Sequence, residues 1–231
     1  MLTTSLPQIN GNSNRYFMAY STPTVFVVDD DSSVRRSLAR LLRSATYQAE
    51  TFASAEDFFA SGKQQRSPAC LVLDVQLPGL TGLDLQDQLR AANSTLPIIF
   101  ITGHGDIPMS VRAMKDGAVD FLPKPFQDEQ LLQAIARAID KNTHDQQKRG
   151  EIQSIQQRID TLTSREREVM ELVVTGKLNK HIASELGIVE KTVKVHRGRV
   201  IKKMKVDSLA ALVHLADKAG FYNESGESNH K

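Results

Sequence analysis

Acidic side chains follow two of the apolar runs in this sequence, in positions that could bring them together at one edge of a sheet. Asp29 and Asp30 come directly after residues 25–28, and Asp74 is the last residue of the run Ala69–Asp74. Carboxylates that lie close together repel each other, so a site that holds all three needs a cation, and a cluster of oxygen ligands suits Mg²⁺. With the metal in place, one carboxylate can attack phosphorus as a nucleophile.

A hydroxyl group and an ammonium group follow the next two apolar runs. Thr102 comes after residues 97–101, and Lys124 comes after residues 120–122. The lysine would neutralise charge on a phosphoryl group acquired by the site, and the threonine hydroxyl could donate a hydrogen bond to the same oxygens. Each residue alone is common in a turn, a helix cap or a solvated surface. Their occurrence at the ends of four successive strand-like runs favours a shared site.

The elements that must position these residues alternate along residues 24–140. Short runs of Val, Leu and Ile bounded by turn residues predict buried strands, and the stretches between them have helical spacing of apolar residues. Five strands that alternate with five helices predict an α/β fold, a doubly wound five-stranded parallel sheet with helices on both faces. Open sheets of this kind bind their ligands at the carboxyl ends of the strands.

The composition of the 231 residues, 40% hydrophobic and 24% charged, is that of an ordinary soluble protein with room for two modest domains. No apolar stretch approaches the roughly 18 residues of a membrane span. Residues 1–22 are polar and lack a signal core, so we expect a disordered extension, in which Met18 is an alternative start. The single cysteine, Cys70, excludes an intrachain disulfide and fits a reducing compartment. These features predict a cytoplasmic protein without a membrane partner.

The net charge of +2 conceals an uneven distribution. Residues 24–140 contain 11 Lys and Arg against 15 Asp and Glu, whereas residues 161–231 contain 13 against 9. Within residues 176–205 the basic residues outnumber the acidic ones by 9 to 2. A basic segment at one end of a nearly neutral chain indicates an anionic polymer as a partner.

Residues 161–221 are predicted to form a second, all-α domain of four helices. Thr163 and Glu166 fit a capping box at the start of the first helix, and Gly187 ends the second. The third helix, which runs to about Met204, carries most of the basic side chains. A short helix, a turn and a basic helix fit the helix-turn-helix arrangement, in which the second helix enters the major groove of DNA. A solvated basic helix in a small bundle is the alternative.

Residues 141–160 are predicted to form a helical linker between residues 23–140 and residues 161–221. The linker is polar, with Ile152, Ile155 and Ile159 at spacings of three and four. It either pairs with a second copy of the chain or stands as a lone solvated helix, and Gly150 is expected to weaken or break it. The tail, residues 222–231, is polar and expected to be disordered.

The motifs of residues 24–140 resemble the receiver domain of two-component response regulators in both order and spacing. The matching motifs are Val28-Asp29-Asp30-Asp31, Leu73-Asp74, Ile101-Thr102-Gly103 and Phe121-Leu122-Pro123-Lys124-Pro125-Phe126. The resemblance implies a flavodoxin-like fold in which Asp74 accepts a phosphoryl group from a sensor histidine kinase.

The same resemblance implies roles for the residues around Asp74. Asp29 and Asp30 would bind Mg²⁺ with Asp74, and the backbone carbonyl of Gln76 would complete the metal site. Gln76 stands where the family often has Asn or Met, which leaves the lifetime of the phosphoaspartate open. The two switch positions are Thr102 and Phe121, and Lys124 matches the lysine that contacts the phosphoryl group.

Residues 160–220 are similar to the four-helix LuxR-type DNA-binding domain. The similarity rests on residues 162–169, 179–183, 186–188 and 192–197. It implies that Lys194 and Val195 face bases and that Lys180, Thr192 and Arg199 contact phosphates. Gly198 occupies a third base-facing position that often carries a longer side chain, and glycine has no side chain with which to contact a base.

With both resemblances, the chain is identified as a member of the NarL/FixJ family of response regulators, and Gly103 to Met109 and the linker favour the FixJ side. This implies a transcriptional regulator, not an enzyme, that binds double-stranded DNA as a homodimer on phosphorylation. The dimer would form through the helix after Pro108 and the strand that holds Phe121. RNA polymerase is a further candidate partner.

Two other classes of protein remain open. An aspartate-nucleophile phosphatase of the haloacid dehalogenase type requires a second Asp two residues after the nucleophile, where this chain has Gln76. A phosphate-release assay on small phosphomonoesters would identify that class. A DNA-binding protein with a vestigial receiver would not need phosphorylation, but the complete set of acids, Thr102 and Lys124 argues against it.

Overall fold

The computed structural model describes residues 22–103 and 107–221. The chain divides into two compact units, and the division falls between Thr143 and His144. The segments that were expected to be disordered, residues 1–22 and 222–231, lie outside the described residues apart from Thr22. Residues 104–106, part of the stretch that favours the FixJ side, also lie outside them. Within the described residues, no helix combines the length and the apolar character needed to cross a membrane.

The first unit is built on a sheet of five strands in the order β2-β1-β3-β4-β5, in which all neighbours are parallel. The strands are β1 (Thr24–Val28), β2 (Gln48–Phe52), β3 (Ala69–Asp74), β4 (Ile98–Thr102) and β5 (Asp120–Pro123). The helices that follow them are α1 (Ser32–Ser44), α2 (Ala55–Ala60), α3 (Gly82–Ala91), α4 (Ile107–Lys115) and α5 (Asp128–Asp160). The predicted doubly wound parallel fold is confirmed. Its strand order reverses between β1 and β3, the point at which such sheets bind ligands.

Two hydrophobic layers cover the faces of this sheet. Successive strand residues point to opposite faces, so Phe26 packs with α2, α3 and α4, whereas Val25 packs with α1 and α5. Because both faces are covered, the central strands read as continuous apolar runs rather than alternating ones. Cys70 lies fully buried in the layer next to α1 and α5, and burial raises the pKa of its thiol well above the ordinary value.

Helix α5 continues without a break through Gly150 and extends over the whole of the predicted linker. Its first turns bury Leu131 and Ile135 against the sheet. Near its other end, Ile155 and Ile159 are buried in the hydrophobic cluster of the second unit, whereas Ile152 is 36% exposed. The last turns of α5 therefore belong to the core of the second unit, and the isoleucine spacing of the linker reflects that packing.

The second unit contains four further helices in its described part, in agreement with the predicted helical domain. They are α6 (Ser164–Val174), α7 (Asn179–Leu186), α8 (Glu190–Met204) and α9 (Leu209–Lys218). Thr163 and Glu166 form the predicted capping box at the start of α6. The Glu166 carboxylate also accepts a hydrogen bond from Lys203 Nζ at 2.6 Å, and this bond is the largest cause of the lowered pKa of Glu166. These bonds join the start of α6 to the last turn of α8.

Candidate functional site

Three carboxylates meet at the carboxyl ends of β1 and β3. Asp29 follows β1, Asp74 ends the adjacent strand β3, and Asp30 lies in the loop before α1. One oxygen atom from each of these residues lies within 4.8 Å of the others. Asp29 and Asp74 are buried, whereas Asp30 is exposed to an open groove of about 650 Å³. The structure therefore brings together the acidic residues that the sequence placed at one sheet edge.

Lys124, which follows β5, bridges two of these carboxylates. Its Nζ donates hydrogen bonds to Asp29 Oδ2 at 2.7 Å and to Asp74 Oδ2 at 2.6 Å. Burial alone would lower the pKa of Lys124, but the hydrogen bonds and charges of the two aspartates outweigh it and raise that pKa. Burial raises the pKa of Asp29, and Lys124 and the Asp31 N–H offset this only in part. The ammonium group thus contacts both buried acids at once.

The loop after β1 is fixed by hydrogen bonds at several points. Asp31 caps α1, because its Oδ1 accepts from Ser33 N and Ser33 Oγ, both at 2.7 Å. Asp29 Oδ1 accepts from Asp31 N at 2.9 Å. From the first turns of α1, Arg35 Nη1 donates to the carbonyl oxygen of Asp29 at 2.6 Å and to that of Asp30 at 2.8 Å. Arg35 was not among the site residues predicted from the sequence, because its two bonds depend on the path of the loop before α1.

The loop after β3 packs closely on the Asp74 backbone. Asp74 Oδ1 accepts a hydrogen bond from Gln76 N at 3.0 Å, and the exposed Gln76 lines the groove. The N–H of Gly82, the first residue of α3, donates to Val75 O at 3.1 Å. A Cβ atom at Gly82 would lie 2.3 Å from the Asp74 carbonyl oxygen. Only glycine leaves room for this approach, so the start of α3 forms the support behind Asp74.

The two residues predicted to be switch positions, Thr102 and Phe121, lie on β4 and β5. Thr102 is fully buried at the end of β4, and its carbonyl oxygen accepts a hydrogen bond from Lys124 N at 2.7 Å. Phe121 is half-buried and pairs in register with Phe100, with ring centroids 6.2 Å apart. The backbone of β5 therefore connects Phe121 to the lysine that contacts Asp74.

A second candidate surface lies on α7 and α8 of the other unit. Val193, Val200 and Met204 are buried and fix the inner side of α8. The outer residues with predicted DNA contacts are Lys180 of α7 and Lys194, Val195 and Arg199 of α8, all exposed, and Thr192 of α8, which is half-buried. Gly198 is exposed with open space around it. Five residues with predicted DNA contacts thus lie on the two helices of a helix-turn-helix.

Two basic residues of α8 have structural partners instead. Arg197 Nη1 donates to Asn179 Oδ1 at 2.7 Å, which ties α8 to the first residue of α7. Lys203 donates to Thr161 O at 2.8 Å and to Glu166. These side chains stabilise the helix-turn-helix. Fewer basic groups of α8 are therefore available to DNA than its count of basic residues suggests.

Comparisons with known proteins match the two units separately. Residues 25–136 match the family of response regulator receiver domains, and residues 160–216 match the luxR family of bacterial regulatory proteins. Nodulation protein W of Bradyrhizobium diazoefficiens is 50% identical over 196 residues, which cover 85% of this chain and 86% of that protein. The transcriptional regulatory protein FixJ of the same organism is 42% identical over 200 residues, with 87% and 97% of the two chains covered.

A solved structure has the same architecture over most of this chain. The structure of the response regulator StyR is 51% identical, with a TM-score of 0.76, and the match covers 86% of this chain and all of the other. The relatives are thus matched over nearly their whole length, receiver and DNA-binding parts together.

Proposed function

Because the chain belongs to the FixJ-type response regulators, two-component transcriptional regulators that join a receiver domain to a LuxR-type DNA-binding domain, we propose that Asp74 is its phosphoacceptor and that phosphorylation of Asp74 controls DNA binding by α8. The observation that carries the proposal is the contact of Lys124 with both Asp29 and Asp74 at the switch point of the sheet. A lysine in that place can move when the charge of Asp74 changes, and its movement can alter the position of β5.

The phosphoryl transfer begins with attack of an Asp74 carboxylate oxygen on phosphorus. With a sensor histidine kinase as the donor, the new O–P bond forms as the P–N bond to the kinase histidine breaks, and the imidazole keeps the electron pair of that bond. Lys124 then neutralises charge on the acquired phosphoryl oxygens. The Gln76 N–H, bonded to Asp74 Oδ1 at 3.0 Å, orients the carboxylate toward the groove.

The donor set at this site fits Mg²⁺, because three carboxylates within 4.8 Å of one another form an all-oxygen cluster open to water on one side. Asp29, Asp30, Asp74 and the carbonyl of Gln76 are the residues that would hold the ion. When bound, Mg²⁺ supplies positive charge that offsets the charge of the phosphoryl group during transfer.

Phosphorylation of Asp74 would be transmitted within the receiver to a dimer interface on α4. Thr102 and Phe121 are the switch residues, on the strands on either side of the hydrogen bond between Thr102 O and Lys124 N. Helix α4 supports homodimerisation, since Ile107, Val111 and Met114 are between 45% and 79% exposed. Phosphorylation would shift the receiver toward the conformation that pairs these surfaces.

The dimer would present two copies of α8 to paired half-sites on double-stranded DNA. Lys194 and Val195 would contact base edges, whereas Lys180, Thr192 and Arg199 would contact phosphates. The exposure of these side chains and the burial of Val193 and Val200 on the opposite side of α8 support this assignment. The protein would act in the cytoplasm without enzymatic activity of its own, and RNA polymerase is a candidate partner.

Substitution of Asp74 tests the proposal. Asp74→Asn keeps the size of the side chain and removes the nucleophilic carboxylate. Acetyl phosphate with Mg²⁺ is expected to phosphorylate the native chain and to raise its affinity for its DNA sites, with neither effect in the variant. Asp57→Asn, on the exposed surface of α2, is the control and should behave as the native chain does. Equal phosphorylation of Asp74→Asn would overturn the assignment, and equal DNA affinity before and after phosphorylation would favour the vestigial receiver.

A further inference from the structure

The carboxylate of Asp30 differs from its two neighbours in how it is held. Asp29 is bonded to Lys124 and to Asp31 N, and Asp74 is bonded to Lys124 and to Gln76 N. Among residues 22–103 and 107–221, no group donates a hydrogen bond to the Asp30 carboxylate, which is exposed. The direction of this side chain therefore depends on its own backbone.

Arg35 fixes that backbone. The carbonyl oxygens of Asp29 and Asp30 belong to the two peptide groups that flank Asp30, and Arg35 Nη1 is bonded to both. The arginine reaches them because side chains in a helix tilt toward its N-terminus, and Arg35 lies one turn after the cap residue Asp31. Two peptide planes held by one guanidinium group leave the Cα–Cβ bond of Asp30 little freedom.

We propose that Arg35 is a positioning residue that aims the Asp30 carboxylate into the groove and thereby sets the affinity of the site for Mg²⁺. This inference rests on the proposed function, because it takes Asp30 as a ligand of the metal. Residues that orient metal ligands by hydrogen bonds typically change the affinity for the metal about 10–100-fold when they are replaced.

Charge and positioning predict opposite results for Arg35. A cation near the site repels Mg²⁺, so removal of the guanidinium charge alone would strengthen Mg²⁺ binding. Loss of the two carbonyl contacts would weaken Mg²⁺ binding, because the Asp30 side chain would then have to be ordered when the ion binds. A weakened affinity after removal of a positive charge can therefore be assigned to positioning.

The experiment measures Mg²⁺ binding by calorimetry on the full chain, without a phosphoryl donor. Arg35→Met is expected to bind Mg²⁺ roughly tenfold more weakly or worse. Arg35→Lys keeps the charge but ends one bond short of the Nη1 position, so it should also bind more weakly than the native chain. Arg36→Met and Arg36→Lys are the matched controls and should bind as the native chain does. Arg36 is exposed, and within the described part of the chain it donates a hydrogen bond only to Ser32 Oγ, at 3.1 Å.

A double-mutant cycle tests whether Arg35 acts through Asp30. Asp30→Asn should weaken Mg²⁺ binding, and Arg35→Met added to it should have little further effect, because the side chain that it positions is already disabled. Hydrogen exchange at Asp31 N, measured by NMR without Mg²⁺, gives a readout that does not depend on the ion. Exchange should be faster in Arg35→Met and unchanged in Arg36→Met.

The outcomes separate this inference from the proposed function. Native-like or tighter Mg²⁺ binding by Arg35→Met, native-like binding by Arg35→Lys, or additive effects in the cycle would each overturn the positioning role of Arg35. Failure of the native chain to bind Mg²⁺, or native-like binding by Asp30→Asn, would instead overturn the metal site itself. Thermal unfolding of each variant without Mg²⁺ identifies any that fails to fold, and Arg35→Lys then decides the matter if Arg35→Met is lost.

Discussion

Single residues of α8 are expected to divide into two groups by what they contact. Lys194→Ala removes a proposed base contact, so specific binding should weaken by about 1–3 kcal/mol with relaxed sequence preference. Arg199→Ala removes a proposed phosphate contact, so binding should weaken on all DNA and the slope of log affinity against log salt should fall by about one unit. Titrations with specific and random DNA across a salt series measure both effects. If both variants lost affinity equally on both DNAs, α8 would act only through its positive charge, and its proposed placement in the major groove would be wrong.

A glycine determines how closely α3 approaches Asp74, the proposed phosphoacceptor. Gly82→Ala places a Cβ atom 2.3 Å from the Asp74 carbonyl oxygen, so the backbone must shift, and we expect a loss of about 1–3 kcal/mol of stability and slower phosphorylation. Gly150→Ala is the contrasting control, because its Cβ meets nothing within 4 Å and lies inside α5. That change should raise the stability by about 0.5–1 kcal/mol. Calorimetry and acetyl phosphate labelling check both variants, and native phosphorylation by Gly82→Ala would contradict the proposed support of Asp74.

At the scale of elements, the sequence predicted the strands that are apolar throughout. β1, β3 and β4 are fully buried and read as continuous runs of Val, Leu and Ile. β2 could not be located in this way, because the edge strand Gln48–Phe52 is only partly buried and its sequence is largely polar. Gly150 was expected to weaken or break the linker helix, but α5 is continuous there, since one glycine costs a long helix only about 1 kcal/mol.

Residues of the candidate site could be predicted where their position at the end of a strand determines their place in the fold. They could not be predicted where their role depends on a contact that forms only in the folded structure. Asp29, Asp74 and Lys124 end or follow strands, so a parallel sheet must bring them to one edge. The bonds of Arg35 to two loop carbonyls depend on the path of the loop between β1 and α1, which no spacing in the sequence specifies. The same holds for Arg197 and Lys203, two basic residues of α8 that bond to Asn179 and Glu166.

The last turns of α5 are expected to stabilise the DNA-binding unit. Ile159 is fully buried among residues of α6 to α9, so Ile159→Ala should destabilise that unit by about 2–5 kcal/mol. Ile152→Ala, at a position on the same helix that is 36% exposed, should cost much less. Hydrogen exchange in α6 and α8, followed in the full chain, reports the stability of the second unit. A loss of stability in Ile159→Ala as small as that in Ile152→Ala would show that the packing of Ile159 contributes little.

At the scale of the whole molecule, Lys124 is expected to couple phosphorylation to assembly. Lys124→Ala removes the ammonium group that bridges Asp29 and Asp74, so the chain should still accept phosphate at some rate but fail to dimerise. Sedimentation with and without acetyl phosphate measures the dimer. Lys63→Ala, which removes an ion pair with Glu50 and a cation–π contact with Phe52, serves as the control and should dimerise normally. Phosphorylation-dependent dimerisation of Lys124→Ala would count against this role.

The burial of Cys70 makes the native chain suitable for site-specific labelling. Cys70 is the only cysteine, it has no exposed surface, and burial raises the pKa of its thiol, so almost none of the reactive thiolate forms near neutral pH. A cysteine introduced at an exposed position of α4, such as Met114, would therefore react with a maleimide dye while Cys70 stays unlabelled. Fluorescence from that one position could then follow dimerisation in real time, without removal of the native thiol from the core.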